Sequence, residues 1–199
     1  MDIDIDVSSK TQPLEIFPDI IPASLNEAGK LRKHNVGYYF QSIPVDEVSG
    51  LSAITYKNAP NFNYFKVDII NLNLLDKFSS KKELRDLMHK EPLWDLLEER
   101  KIVEQLFHLH NKFDVVYKVK PRSILELADC LALIRPNKVK LIDKYIRAKD
   151  KTEIRKVLYT KQDPSDLRKS HAIPYAYLII AQLNLIEREL TNDETSQSI

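Results

Sequence analysis

The sequence predicts an α+β protein, with a small mixed or antiparallel sheet in the first third and a helical region after it. Three observations carry this. Apolar and acidic residues alternate strictly in Asp2-Ile3-Asp4-Ile5-Asp6-Val7, the period of a half-buried strand. Aromatic and branched apolar runs recur at Gly37-Tyr38-Tyr39-Phe40 and from Tyr64 to Leu75, separated by Pro- and Asn-rich stretches. From residue 80 onward the apolar spacing changes to that of helices.

The helical elements follow in order. Leu84, Leu87 and Met88, then Leu93, Trp94, Leu96 and Leu97, match one face of a helix. Ser123 stands three residues before Glu126 and ahead of Leu127, Ala128, Leu131 and Ala132, a capping-box start. Pro136 predicts that this helix ends near Ile134, because the residue before proline avoids the helical region. Lys138 to Arg147 reads as a basic amphipathic helix that could track a nucleic-acid backbone or form a solvated face. Residues 173–190 read as a long apolar helix that buries Tyr175 and Tyr177, and Trp94 is expected in the core. The expected organisation is therefore a sheet-bearing subdomain over 1–78, a helical subdomain over 79–190 and a disordered polar tail over 191–199.

Composition excludes several classes. Three glycines, Gly29, Gly37 and Gly50, cannot build a phosphate-binding P-loop or a dinucleotide fingerprint. The single cysteine, Cys130, rules out a disulfide framework and a cysteine-based zinc site. Charged residues make up 30% yet nearly cancel to +1, so net charge names no partner. Its distribution is uneven: the first 80 residues are acidic and 111–169 basic. No stretch is long and apolar enough for a membrane span. MDIDID also lacks the basic and apolar regions of a signal peptide, so a cytoplasmic location and no membrane partner are expected.

The acidic strand is the first candidate site. Side chains alternate along a strand, so Asp2, Asp4 and Asp6 share one face at intervals of about 7 Å. Carboxylates so placed repel one another. A divalent cation, or water around an exposed strand, would relieve the repulsion. The second candidate is Asp68 in Lys66-Val67-Asp68-Ile69-Ile70. A carboxylate inside an apolar strand requires a cation, a donor or a metal.

Taken in order, these segments resemble the alpha subunit of bacterial DNA polymerase III, the C-family replicative polymerase. DIDIDV at 2–7 is similar to the family's PDxDxDF palm strand, whose first two aspartates bind metal. Lys33-His34-Asn35-Val36-Gly37 is similar to its KHxGG segment. Lys66-Val67-Asp68-Ile69-Ile70-Asn71-Leu72 is similar to its KxDxLGL strand, with Asn71 in place of glycine. Leu93-Trp94-Asp95-Leu96-Leu97 through Gln105-Leu106-Phe107 resembles the helix leading to FQxES. Lys120-Pro121-Arg122-Ser123 through Ala132-Leu133-Ile134-Arg135-Pro136 resembles KPxSxxDL…ALxRPG. Asp143 to Lys149 resembles DxFIxRK, and Lys169-Ser170-His171-Ala172-Ile173-Pro174-Tyr175-Ala176 resembles KSHAxAYA.

The resemblance implies a palm-like sheet followed by helical fingers. It implies a nucleotidyltransferase in which Asp2, Asp4 and Asp68 are catalytic and hold two Mg2+ ions. It demotes Asp6 to a supporting role. Lys66, His34, Arg135, Lys169 and His171 are the implied nucleotide or DNA contacts. Primer-template DNA and dNTPs are the implied ligands.

The departures are specific. The family's long thumb-bearing insertion between the two aspartate strands is absent, RPGP has become Arg135-Pro136-Asn137-Lys138, and the upstream Gly-Ser segment has no counterpart. The expectation is thus a minimal or split polymerase in the cytoplasm, which is the host's cytoplasm if the chain is phage-encoded. Other replication proteins or a complementary polymerase fragment would be its partners. The alternative is a non-catalytic nucleic-acid-binding or replisome-interaction remnant.

Overall fold

The computed structural model describes residues 3–196, with side chains described through residue 192. The chain divides into two compact units, Met1–Phe78 and Ser79–Ile199.

The first unit is a four-stranded mixed sheet in the order β1-β4-β3-β2. Its strands are β1 (Ile3–Ser8), β2 (Ile21–Glu27), β3 (Lys30–Tyr39) and β4 (Val67–Leu72). A short helix α1 (Pro13–Ile16) follows β1. β2 and β3 form a hairpin turning at Ala28 and Gly29, both at positive φ (50° and 79°). This pair of left-handed residues matches the right-handed twist of the flanking strands. β3 pairs antiparallel with β4 at Gly37 and Tyr38, and β1 pairs parallel with β4 along its whole length.

The two faces of this sheet differ as the alternation requires. One buries Ile69 and Tyr38 with Ile20, and Val7 packs against them. On the other, Tyr39 packs with Ala23, Ile43 and Ala59. The long connection before β4 is held by buried hydroxyls. Ser24 N–H donates to Ser52 Oγ at 2.9 Å, and Ser24 Oγ donates to the Ser52 carbonyl at 2.6 Å.

The second unit is helical: α2 (Lys81–His89), α3 (Arg100–Val103), α4 (Phe113–Val119), α5 (Ile124–Leu133), α6 (Ile142–Arg147), α7 (Thr152–Tyr159) and α8 (Lys169–Ser196). α5 is its centre, with every residue from Leu127 to Leu133 buried, and it packs along α8. Ser123 caps α5 by accepting the Glu126 N–H at 3.2 Å. Glu126 in turn accepts the N–H of Arg122, one residue before the cap. Ser79, Ser80 and Glu83 repeat this arrangement at α2. Each cap satisfies donors that a helix N-terminus leaves open.

Several elements differ from the sequence expectation. The apolar run of 84–97 is two pieces, α2 and a 3-10 turn at Trp94–Glu98, interrupted where Pro92 denies a helical N–H. Lys138–Arg147 is a 3-10 turn, Val139–Leu141, followed by the short α6. α8 starts before Pro174 and continues through Ser196, past the boundary expected at residue 190. Inside it, Pro174 removes one backbone hydrogen bond, a cost of about 3 kcal/mol for an interior position. The buried residues Ala172, Ala176, Ile179, Ile180 and Leu183 around it offset that loss.

Two polar side chains of α8 explain how so long a helix enters an apolar core. Gln182 accepts the Phe107 N–H at 2.9 Å and donates to the Gln105 carbonyl at 2.7 Å. Asn184 donates to the carbonyls of Leu87 and Lys90 at the end of α2, at 2.8 and 2.9 Å. Both amides close backbone groups that irregular segments would otherwise bury unpaired.

Candidate functional site

The parallel pairing of β1 with β4 sets the site. Asp4 is the register partner of Asp68, and Asp68 is in turn the partner of Gly37 on β3. In-register residues on neighbouring strands project to the same face, and such strands lie about 4.8 Å apart. Asp4 and Asp68 therefore share one face. Asp4 is exposed, while the Asp68 side chain keeps 21% of its surface. Asp6 aligns with Ile70, so no carboxylate stands opposite it. Asp2 lies outside the described residues.

Asn71, which departs from the family's glycine, holds this register. Its side-chain amide donates to the Ser8 and Thr11 carbonyls, each at 3.0 Å, tying the end of β1 to β4. Ser9 adds a second tie through the Asp76 carboxylate.

Lys66 lies two residues before Asp68 on the same face, and its ammonium is ion-paired to both Asp68 oxygens. His34 Nδ1 accepts the Gly37 N–H at 3.0 Å. The proton of the neutral imidazole is thereby assigned to Nε2. Burial, and then the Lys66 charge, lower the His34 pKa, while Asp68 partly counters them. The ring also rests edge-on against Tyr56, with centroids 5.0 Å apart.

Gly37 is required by close approach. A Cβ there would stand 2.6 Å from Lys66 Cδ and 2.8 Å from His34 Nδ1. Tyr39, on the same face as Gly37, is fully buried, and its hydroxyl has no partner among the described residues. Burial and then Asp68 raise its pKa, which places that hydroxyl within the field of the carboxylate.

Two carboxylates, a lysine and a buried hydroxyl without a partner among the described residues thus share one face of the sheet. The donor set is all oxygen, which suits a hard divalent cation whose remaining positions go to water or phosphate oxygens. Among the described residues, no group of three or more His, Cys, Asp or Glu side chains forms a complete metal cage. The positive charge beside Asp68 comes from Lys66.

The remaining sequence candidates lie in the second unit. Arg135 follows the C-terminus of α5 and is half-buried. Its Nε has no partner among the described residues. Lys169 opens α8, and His171 lies within its first turn. Lys169 lines an open depression with Arg155, Lys156 and Tyr159.

Lys138 corrects the basic-helix expectation. It is buried, donates to the Val157 and Thr160 carbonyls at 3.0 and 2.8 Å, and faces Asp166 at 3.5 Å. It closes the C-terminus of α7 and cannot reach nucleic acid. The exposed cations of that segment are Lys140, Lys144 and Arg147.

Sequence reasoning missed Asp129. This fully buried carboxylate of α5 accepts from Tyr145 Oη at 2.7 Å, Arg155 Nε at 2.8 Å and Tyr159 Oη at 2.8 Å. It joins α5, α6 and α7. A charged residue within the apolar run 127–134 was the available signal, since a buried carboxylate needs partners.

A family model for the bacterial DNA polymerase III alpha subunit finger domain matches residues 54–169. Among curated proteins, none matches the chain.

Proposed function

The chain belongs to the family of bacterial DNA polymerase III alpha subunit finger domains, and from that premise we propose that it serves template-directed DNA synthesis, with its first unit carrying the carboxylates of a two-metal nucleotidyl-transfer site. Membership makes it a DNA-polymerase-related protein, and DNA and replication proteins are the partner class it suggests. The observation that best supports the catalytic reading is the register of β1 on β4, which sets Asp4 beside Asp68.

Asp4 and Asp68, with Asp2 from the resemblance, would hold Mg2+. Bound there, the metal would polarise phosphoryl oxygens and lower the pKa of the attacking 3′-hydroxyl. Lys66, released from Asp68, would turn to a phosphate oxygen. Neutral His34, its Nδ1 occupied by Gly37 N–H, would offer Nε2–H to the nucleotide. In the second unit, Arg135, Lys169 and His171 would contact nucleotide or DNA phosphates, where a guanidinium binds in bidentate fashion. The thumb absent between β1 and β4 would come from a complementary polymerase fragment.

The test is primer extension with this protein, such a fragment, primed template, dNTPs and Mg2+. Asp4→Ala and Asp68→Ala are expected to abolish extension. Extension that persists in both variants contradicts the reading.

The Lys66–Asp68 pair favours a second reading, a nucleic-acid-binding protein without catalysis, because the carboxylate is already neutralised. That reading predicts salt-sensitive DNA binding indifferent to Mg2+ and to both aspartates.

A further inference from the structure

We propose that the outer edge of β1 is a docking site for an extended segment of a partner protein in which lysine or arginine alternates with apolar residues. β1 is an end strand of the sheet, and β4 is the one strand that pairs with it among the described residues. A strand so placed leaves a row of N–H and C=O groups turned outward, a template for one more strand. Its central residues, Asp4, Ile5 and Asp6, are exposed. The ties from Asn71 and Asp76 reach Ser8, Ser9 and Thr11, beyond this stretch.

The opposite edge of the same sheet is closed. β2 carries Pro22, its register with β3 shifts between Pro22 and Ser24, and Ser24 bridges to Thr55. The segment after β3 covers this edge further. Ser52 N–H donates to the Pro22 carbonyl at 3.0 Å, and Tyr56 N–H to the Ser24 carbonyl at 2.8 Å. Proline, a bulge and a covering loop are devices that keep an edge from pairing with another chain. β1 has none of them among the described residues. It holds no proline, and its register with β4 runs unbroken from Ile3 to Ser8.

The two side-chain rows of β1 specify the occupant. Asp4 and Asp6 lie on one face, about 7 Å apart along the strand. Ile3, Ile5 and Val7 lie on the other. Val7 packs against Ile20, Tyr38 and Ile69, while Ile5 stays 42% exposed. A second copy of β1 is disfavoured. Pairing with matched faces sets carboxylates opposite carboxylates, and a one-residue slip sets them against the apolar row. A strand of alternating cations and apolar residues satisfies both faces. Its cations stand opposite Asp4 and Asp6, and its apolar side chains cover Ile5. Asp6 is the anchor, since its partner on β4 is Ile70 and the two-metal reading makes no use of it.

The test is amide hydrogen exchange of the full chain followed by NMR, in EDTA, with a blocked hexapeptide in which lysine alternates with valine. The amides of Ile3–Ser8 that face away from β4 are expected to exchange at least tenfold more slowly at saturation, with exchange on β2 unchanged. A hexapeptide alternating glutamate with valine is expected to give no protection, and full N-methylation of the lysine peptide to abolish it. Asp6→Lys is expected to weaken binding at least tenfold. If that variant unfolds, Asp6→Asn is expected to weaken it at least threefold. The proposal is overturned if the lysine peptide leaves β1 unprotected, if the glutamate or N-methylated peptide protects it equally, or if a folded Asp6 variant binds with undiminished affinity. A dimer of the chain alone that protects the same amides would assign the edge to a second copy and overturns it too. EDTA keeps metal from Asp4, so these outcomes stand apart from the primer-extension test of the catalytic reading.

Discussion

Asp4 and Asp68 stand in register on adjacent parallel strands, carboxylate beside carboxylate on one face of the sheet. Favourable cross-strand side-chain pairs contribute about 0.2–1 kcal/mol each, and like charges directly opposite each other are destabilising. Lys66 compensates Asp68 directly. With that repulsion already offset, Asp4→Asn is expected to change stability in EDTA by less than about 1 kcal/mol, read from urea unfolding. A larger loss of stability would mean that Asp4 serves the fold and not a ligand.

Gly37 holds the site's tightest approach. Alanine there would drive Lys66 and His34 away from their positions around Asp68. The expected cost is about 1–3 kcal/mol, typical of overpacking. The same variant should also change the His34 titration followed by NMR, since both Lys66 and the Gly37 N–H act on that ring.

Asp129 organises the helical unit through Arg155, Tyr145 and Tyr159. Asp129→Ala leaves a guanidinium and two hydroxyls without their acceptor. A loss of about 3–5 kcal/mol is expected, the range for breaking a buried pair from one side. Chemical denaturation measures it, and a change below about 1 kcal/mol, the scale of a surface pair, would refute the network's importance.

Glu83 connects α2 to α8 through Arg188, at 2.7 Å, and caps α2 through Ser79. The Ser79 hydroxyl, Arg188 and the Ser79 N–H lower its pKa from 4.5 to about 2. A depressed carboxylate stabilises the fold fully above its unfolded pKa and loses that contribution as pH falls through the folded one. Glu83→Gln should therefore be less stable than wild type at neutral pH. The difference should shrink between about pH 4.5 and pH 2. Denaturant melts of both proteins across that window would show it, and a pH-independent gap would assign Glu83 a purely steric role.

The elements legible in the sequence were those set by local periodicity and capping. The alternation around Asp4 produced β1, and Ser123 with Glu126 produced the start of α5. Pro136 stood where that helix had already ended. What stayed hidden depends on contacts between distant segments. Nothing near Lys138 in sequence announces that its amine closes α7, because the burial is created by Val157, Thr160 and Asp166. Asp129 meets partners on two later helices, and Asn71 reaches back to Ser8 and Thr11. Pro174 misplaced the start of α8, since tertiary packing overrode a local helix breaker. At the site, the apolar strand singled out Asp68, and the resemblance added its catalytic role and the role of Lys66. Their mutual ion pair and the crowding at Gly37 required the folded sheet.

The central claim, that Asp4 and Asp68 jointly hold a divalent cation, is tested most directly by Mn2+ binding followed by electron paramagnetic resonance. The account predicts saturable binding to the wild-type chain that weakens at least tenfold in both Asp4→Asn and Asp68→Asn. Binding that is absent from the wild type, or unchanged in either variant, would contradict it.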